Sequence, residues 1–421
     1  MIFALLTGCV ADIILLGEKP DVTENTSSLT TSDTAAPDTA GDTATDTSEP
    51  PPVRVPDWTV DCNGGADFRT IQSAIEGAVS GDDIAVAPCE YHERIDFIGK
   101  NLSIWSTEGS ASTIIDADYG GTVVNIENGE GDQNRLAGFT IEDGTDTDFG
   151  SGSGLEVSYA NIQLEDIVFD GNGAGWSVIF ANQAFVDMVD VVVRNSPAAP
   201  DGAAIYSDGG GLSATGLEID CDGGLAAVWQ HNATQITDSH LRCVGGYGVY
   251  GYHSELNLRR NTVVGSIAGV YAEDEDDNPS EQILIWNSAI TGGTAVDFRY
   301  VHFEVVNSVL WGLDVGINVL ANDTASSVNS SIILDSPCGV NGESGSVSTR
   351  YTNFWNNDAD TCGGVTVRAT YAEDPLFVAF PDDLHLGKGS GMIDAGDPAL
   401  DDADGSRNDV GVYGGPEGSG W

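Results

Sequence analysis

Residues 307–312 read NSVLWG, and the phrase returns, loosely respelled, as NTVVGS at Asn261, NSAITG at Asn287 and NSSIIL at Asn329. Its first four letters set a phase. In that phase DIVF, DVVV, GLEI and DSHL begin at Asp166, Asp190, Gly216 and Asp238, and YTNF begins at Tyr351. Successive starts lie 20 to 26 residues apart. Such a period marks a repeat architecture, in which each unit buries its apolar face only against its neighbours. Helical repeats would need a periodicity of 3.6, and these units carry none. Each tetrad reads instead as a strand with alternate residues on opposite faces. The fourth position holds Phe169, Val193, Ile219, Leu241, Val264, Ile290, Leu310, Ile332 and Phe354, which predicts an inward stack with one residue per coil. The second position (Ile, Val, Leu, Ser or Thr) shares the interior, and the third faces outward. Turn formers such as GNGAG from Gly171 and CDGG from Cys221 separate the strands. The expected fold is all-β: a single right-handed parallel β-helix solenoid of about ten coils, one domain because a solenoid grows by stacking.

The beginning of the chain differs in kind. MIFALLTGC ends in Leu6-Thr7-Gly8-Cys9, which resembles a bacterial lipobox, and the resemblance implies lipidation of Cys9 within a 1–19 signal segment. Residues 20–57 are Thr, Ser, Asp, Ala and Pro with almost no large apolar side chains, the composition of a disordered linker. Such a tether spans roughly 30–40 Å. The β-helix domain is expected over 58–421. This plan implies an exported protein, held at the cell surface or outer membrane by a lipid anchor, or secreted. No stretch approaches the roughly 20 apolar residues of a membrane-spanning helix, so the lipid is the only membrane contact expected.

Six cysteines remain besides Cys9, and the coil phase pairs them. Cys221 and Cys243 each lie five residues after a tetrad start (Gly216 and Asp238). Stacked strands sit about 4.8 Å apart, inside the roughly 4.4–6.8 Å span of disulfide Cα atoms. Cys338 and Cys362 are again close to one coil apart, leaving Cys62 with Cys89. Three disulfides fit an exported chain.

Both ends of the domain carry a family resemblance. ADFRTIQSAIEGAVSGDDIAVAPCEYHERIDFIGKNLSIWS (Ala66–Ser106) resembles the opening of bacterial pectin-lyase-like, right-handed β-helix proteins, in which an amphipathic helix caps the solenoid. Phe68, Ile71, Ile75 and Val79 would form its inner face, with Asp67 as N-cap and Gly81 as stop. GSGMIDAGDPALDDADGSRNDVGVYGGP (Gly389–Pro416) is similar to the closing segment of secreted β-helix proteins. The resemblance implies fold, not reaction. The polygalacturonase and pectin methylesterase motifs are absent. VWQHN (Val228–Asn232) resembles a pectate lyase motif but has Gln230 where that motif has Asp, so Trp229 and His231 are retained as carbohydrate-binding candidates only.

A formal net charge of −51 disfavours nucleic acid and polyanions. The expected partner is an extracellular polysaccharide, neutral or else acidic and bridged by calcium, and the chain is expected to be a monomer. Calcium has two candidate sites: the run EDEDD (Glu273–Asp277), whose bland reading is a solvated loop, and Asp402, Asp404 and Asp409 around Gly405. The D-x-D-G there is half of a calcium loop; the alternative is that these carboxylates cap turn amides.

Outward positions on successive tetrads predict a charged ladder of Asp170, Arg194, Asp220 and Arg242, with Glu218 beside His240. It reads either as cross-strand ion pairs worth about 0.2–1 kcal/mol each or as a polysaccharide site. In the latter, His240 or Arg242 would be the base, Glu218 or Asp220 the acid or cation ligand, Asp170 and Arg194 glycan contacts, and Trp229 a stacking platform nearby. Three functions follow: a surface carbohydrate-binding or adhesive protein, a polysaccharide lyase or glycoside hydrolase, or a structural envelope protein. The first is favoured because no complete catalytic motif is present.

Overall fold

One coil shows how the chain is laid. His302–Val306 forms a strand, the backbone bends at Asn307, and Val309–Leu320 continues as a longer strand that bends again midway. Stacked parallel on its neighbours, each coil contributes to three sheets, here called first, second and third in chain order. His302–Val306 lies in the first, Val309–Gly312 in the second and Val315–Leu320 in the third. This is a computed structural model; it describes residues 55–420 apart from 147, 149, 174, 275–281 and 321–325. Cys9, the 1–19 segment, nearly all of the 20–57 linker and Glu275–Asp277 lie outside the described residues. The described chain is an all-β parallel solenoid of about 12 turns, two more than the repeat count suggested, with a single short helix. No helix among the described residues is long and apolar enough to cross a membrane.

The bend before each second-sheet strand explains the repeated phrase. Asp166, Asp190, Gly216, Asp238, Arg260, Asn287, Asn307, Ser330 and Tyr351 all adopt φ between 46° and 68°, the left-handed conformation that turns the chain in one residue. Two of these differ from the sequence phasing. The corner falls on Arg260 rather than Asn261 and on Ser330 rather than Asn329, so Val263 and Ile333 point inward instead of Val264 and Ile332. The pairings Leu241↔Val263, Val263↔Ile290, Leu310↔Ile333 and Ile333↔Phe354 confirm the shift. The other tetrads keep their predicted phase.

Immediately after the corner, the backbone has turned away from its neighbour and the amide needs a side-chain acceptor. In the lower coils a buried polar side chain supplies it. Leu217 N donates to Ser239 Oγ (3.0 Å), Ser239 N to Asn261 Oδ1 (2.9 Å), Asn261 N to Ser288 Oγ (3.2 Å), Ser288 N to Ser308 Oγ (3.3 Å) and Ser308 N to Ser331 Oγ (3.1 Å). The hydroxyls in turn donate to the carbonyl two residues back, as Ser308 does to Val306 O at 2.9 Å. Most of the remaining interior is one apolar cluster running from Val60 to Phe354, with Ser207 and Gln230 as buried polar residues of the third sheet.

The C-terminal segment doubles back outside the second sheet, towards earlier coils. Its course is marked by asparagines at or beside successive corners. Asn353 Nδ2 donates to Glu373 O (2.8 Å), Asn329 Nδ2 to Asp397 Oδ2 (2.8 Å), Asn307 Nδ2 to Asn408 Oδ1 and Asp409 O (both 2.8 Å), and Asn287 Nδ2 to Val412 O (2.8 Å). Glu417 then pairs with Arg259 and Arg260. A second apolar cluster forms beneath this strap, with Ala289, Val309, Ile332 and Leu334 on the solenoid and Leu384, Met392, Val410 and Val412 on the strap. Gly414 must be glycine: a Cβ there would lie 2.4 Å from Asn307 Nδ2. Each letter of NSVL thus has its task, with Asn307 at the corner holding the strap, Ser308 in the internal ladder, Val309 under the strap and Leu310 in the core.

The cap follows the predicted plan with a shorter helix. It spans Ile71–Gly77, buries Ile71, Ala74 and Ile75, and is capped by Thr70, whose side chain accepts from Ser73 N. Asp67 instead accepts from Thr59 N and Oγ1, and Val79 is 65% exposed. Both expectations for those residues are therefore corrected. The capping competition went to Thr70 because its hydroxyl sits directly before the first helical turn. Glu93 accepts from the amides of Ile71 and Gln72 (2.8 and 2.9 Å), satisfying two further donors at the helix start. All three expected disulfides are present, Cys62–Cys89, Cys221–Cys243 and Cys338–Cys362. They fit an oxidising, extracellular setting.

Candidate functional site

The charged ladder lies on the outer face of the second sheet in the expected register. Asp170 pairs with Arg194, Glu218 with His240 and Asp220 with Arg242. Arg194 Nε reaches Asp170 Oδ2 at 2.8 Å and Arg242 Nη1 reaches Asp220 Oδ1 at 2.5 Å. Asn195 Nδ2 adds a bond to Asp170 (2.8 Å). Burial holds the His240 imidazole below its ordinary pKa, against the pull of Glu218 and Asp220, so it is neutral at pH 7. The row continues upward through Glu142 and Asp116 to His92. There His92 Nδ1 lies 3.0 Å from Asp116 Oδ2, and Glu90 joins them. Both ladder arginines are engaged by their own acids, the arrangement of cross-strand ion pairs.

Trp229 and His231 are elsewhere. They belong to the third sheet, so the stacking platform expected beside Arg242 stands on a different face. What surrounds Trp229 is a row of aromatic side chains in strict register: Phe180↔Tyr206↔Trp229↔Tyr250↔Tyr271. Four steps of about 4.8 Å give it a length of roughly 19 Å. Neighbouring ring centroids lie 5.5, 5.2, 5.3 and 4.8 Å apart, the first and last pairs stacked and the middle two edge-to-face, both favoured geometries. Trp176 and Tyr247 thicken the row at 5.9 Å from Trp229 and 5.2 Å from Tyr250. Tyr206, Trp229 and Tyr250 remain partly exposed.

Beside the rings runs a polar row, Asn182, Asp208, His231, Tyr252, Glu273 and Arg299, two residues further along each strand. Trp229 Nε1 donates to His231 Nε2 (3.1 Å). Because indole nitrogen can only donate, the imidazole proton sits on Nδ1, which faces Asp208 Oδ1 at 3.4 Å. Burial lowers the His231 pKa, and Asp208 opposes it. Arg299 stands over the Tyr271 ring at 5.1 Å.

Glu156 heads the aromatic row, in register with Phe180. Burial, then the charges of Glu127 and Asp146, push its carboxyl up to about 7. A carboxyl whose folded pKa is raised favours the folded state most at low pH, and that contribution fades as pH rises through the folded pKa. Thermal melts of Glu156→Gln should therefore show less stability loss than the natural protein between about pH 4.5 and 7. Parallel pH profiles for the two proteins would mean that Glu156 ionises normally.

The sequence phasing missed Phe180, Tyr206, Tyr250 and Tyr271 because it followed only the second sheet. A second phrase carried them: VIFAN at Val178, AIYSD at Ala204, AVWQH at Ala227, GVYGY at Gly248 and GVYAE at Gly269. Its third letter is aromatic on five successive coils.

The closing-segment aspartates cap turns. Asp402 accepts from Asp409 N (3.1 Å) and Gly415 N (2.5 Å), Asp404 from Ser406 N (2.9 Å), and Asp409 from Asp394 N (2.6 Å). Burial raises the Asp409 carboxyl to about 6. These three do not converge on one point; among the described residues, Glu90, His92 and Asp116 are the group whose ligand atoms all lie within 4.8 Å of one another.

No protein-family profile matches the chain, and no curated protein matches its sequence. Solved structures share its architecture. XylC, solved with xylose, superposes with a TM-score of 0.50 at 10% identity, covering 76% of this chain and 87% of that one. The pectate lyase Pel9A gives 0.38 at 13% identity, covering 81% and 90%. The A-module of the mannuronan C-5 epimerase AlgE6 from Azotobacter vinelandii gives 0.39 at 12%, covering 72% and 94%. At such identities the likeness concerns fold alone. The chain has the pectin-lyase-like parallel β-helix fold, an architecture shared with carbohydrate-active enzymes.

Proposed function

We propose that this is a carbohydrate-binding or adhesive β-helix protein of the cell surface, held there through Cys9 and the 20–57 tether, and that its binding face is the aromatic row of the third sheet. The observation that carries the reading is the register of Phe180, Tyr206, Trp229, Tyr250 and Tyr271 beside a row of hydrogen-bonding groups. Aromatic faces pack against the C–H faces of sugar rings, and Asp208 and His231 are placed to bond their hydroxyls. The net charge of −51 favours an uncharged glycan. Calcium is not needed for such a ligand, and Asp402, Asp404 and Asp409 already serve turn amides. The second-sheet ladder of Glu218, Asp220, His240 and Arg242 then acts as structural ion pairing.

The test is affinity electrophoresis in gels containing neutral polysaccharides, using the Cys9→Ser form, which the anchor reading expects in the medium. Trp229→Ala should weaken retention about tenfold, equivalent to about 1.4 kcal/mol, with circular dichroism unchanged. Undiminished retention would remove the aromatic row as the binding face, and recovery of Cys9→Ser from membranes would remove the anchor. A second reading, glycoside hydrolysis, draws on Glu156, whose raised pKa suits a general acid. It requires new reducing ends in the same assay, lost in Glu156→Gln; their absence with the natural protein ends it.

A further inference from the structure

A concave surface lies on the first sheet, away from the aromatic row. It is a groove of about 550 Å³, within the range of small-ligand sites, and two adjacent rows of outward positions build it. One row runs Gln163, Asp187, Ser213, Gln235 and Asn257. In the other, Phe185 is followed on the next two coils by Gly211 and Ala233, and these small residues form the depression. Gly211 makes room for the ring: a Cβ there would lie 2.5 Å from Phe185 Cε1, so the ring rests across that coil where the side chain is missing. Phe185 is 61% exposed, and its amide is held by Asn161 Oδ1 at 2.9 Å. An exposed phenyl ring thereby lies against Gly211 within the groove.

The groove's chemistry selects its occupant. Its charged lining residues are Asp132, Asp187 and Glu255, all acidic, so anions are repelled. That includes the chain's own 20–57 segment, whose charged residues are acidic except for Arg54. The carboxamides of Gln163 and Gln235 are exposed, and each can both donate and accept, matching hydroxyl groups. They lie in one row three coils apart, roughly 14 Å along the stacking axis. We propose that this groove is a glycan site, separate from the third-sheet face, which takes an uncharged polysaccharide chain lying along the solenoid axis with a sugar ring against Phe185.

The full-length chain can be tested against xyloglucan, mixed-linkage glucan and galactomannan, with polygalacturonate and polylysine as charged probes. Ala233→Trp fills the floor from an exposed position, and Phe185→Ala removes the ring. Each should lower affinity for a neutral glycan about tenfold, and each should do so again in a Trp229→Ala background. Loss in these variants with no effect of Trp229→Ala would keep the groove and discard the aromatic row; the converse would discard the groove. Binding of polylysine alone, or neutral-glycan affinity unchanged in both variants, overturns the proposal.

Discussion

Replacing Val309 by aspartate is expected to release the C-terminal strap while leaving the coils above it intact. Val309 is fully buried between the second sheet and the strap, where Ile332, Met392, Val410 and Val412 form its cluster. The side chains packed there are apolar, so the new carboxylate would be buried among them at a cost of more than about 3 kcal/mol. Detachment of the strap relieves this cost by returning residue 309 to water. Limited proteolysis should cleave within 387–418 far faster in the variant, and Val309→Ile should behave like the natural protein. A variant whose strap stays equally protected would show that the asparagine contacts hold it without the apolar cluster.

The second large effect is expected at Asn261. Its side chain accepts from Ser239 N (2.9 Å) and donates to Ile236 O (2.8 Å), both in the solenoid interior. Asn261→Ala leaves two buried backbone groups without partners, at about 1–3 kcal/mol each, and opens a cavity. Denaturant unfolding should show a loss of about 2–5 kcal/mol. Asn261→Ser, which keeps a short acceptor, should lose less. Equal losses in the two variants would assign the effect to volume rather than to hydrogen bonding.

The parts of this structure legible in the sequence are those that repeat in one phase. Seven of the nine inward residues of the second sheet follow from the period, as do Cys221–Cys243 and Cys338–Cys362, which left Cys62 for Cys89. The phase slipped at NTVV and NSSI because adjacent apolar pairs, Val263–Val264 and Ile332–Ile333, satisfy either register. Hydrophobicity does not separate two registers when both neighbours are apolar, and an arginine at a left-handed corner is unusual enough not to be sought. The strap was half visible. Outward third positions change from Glu218 and His240 to Ala289 and Val309, which makes sense only if something covers the lower coils. What covers them is a turn-rich segment with few apolar residues, and its direction has no periodic signal. For the candidate site, Trp229 and His231 were found through a motif resemblance, while their aromatic partners needed the third sheet to be phased separately. The groove is formed by what Gly211 and Ala233 lack, and no motif marks an absence.

Most solenoids transmit load from one coil to the next, so a pull on the last coil peels the stack from its end. The strap changes that path. Glu417 is tied to Arg259 and Arg260, at sequence separations of 158 and 157 residues, and the intervening coils hang within the loop so closed. A force on the C-terminus is delivered at those arginines and at Asn287, Asn307, Asn329 and Asn353, in shear along the axis. These contacts share tension instead of failing one after another. The lower coils are thereby braced along the axis by the strap that lies across them.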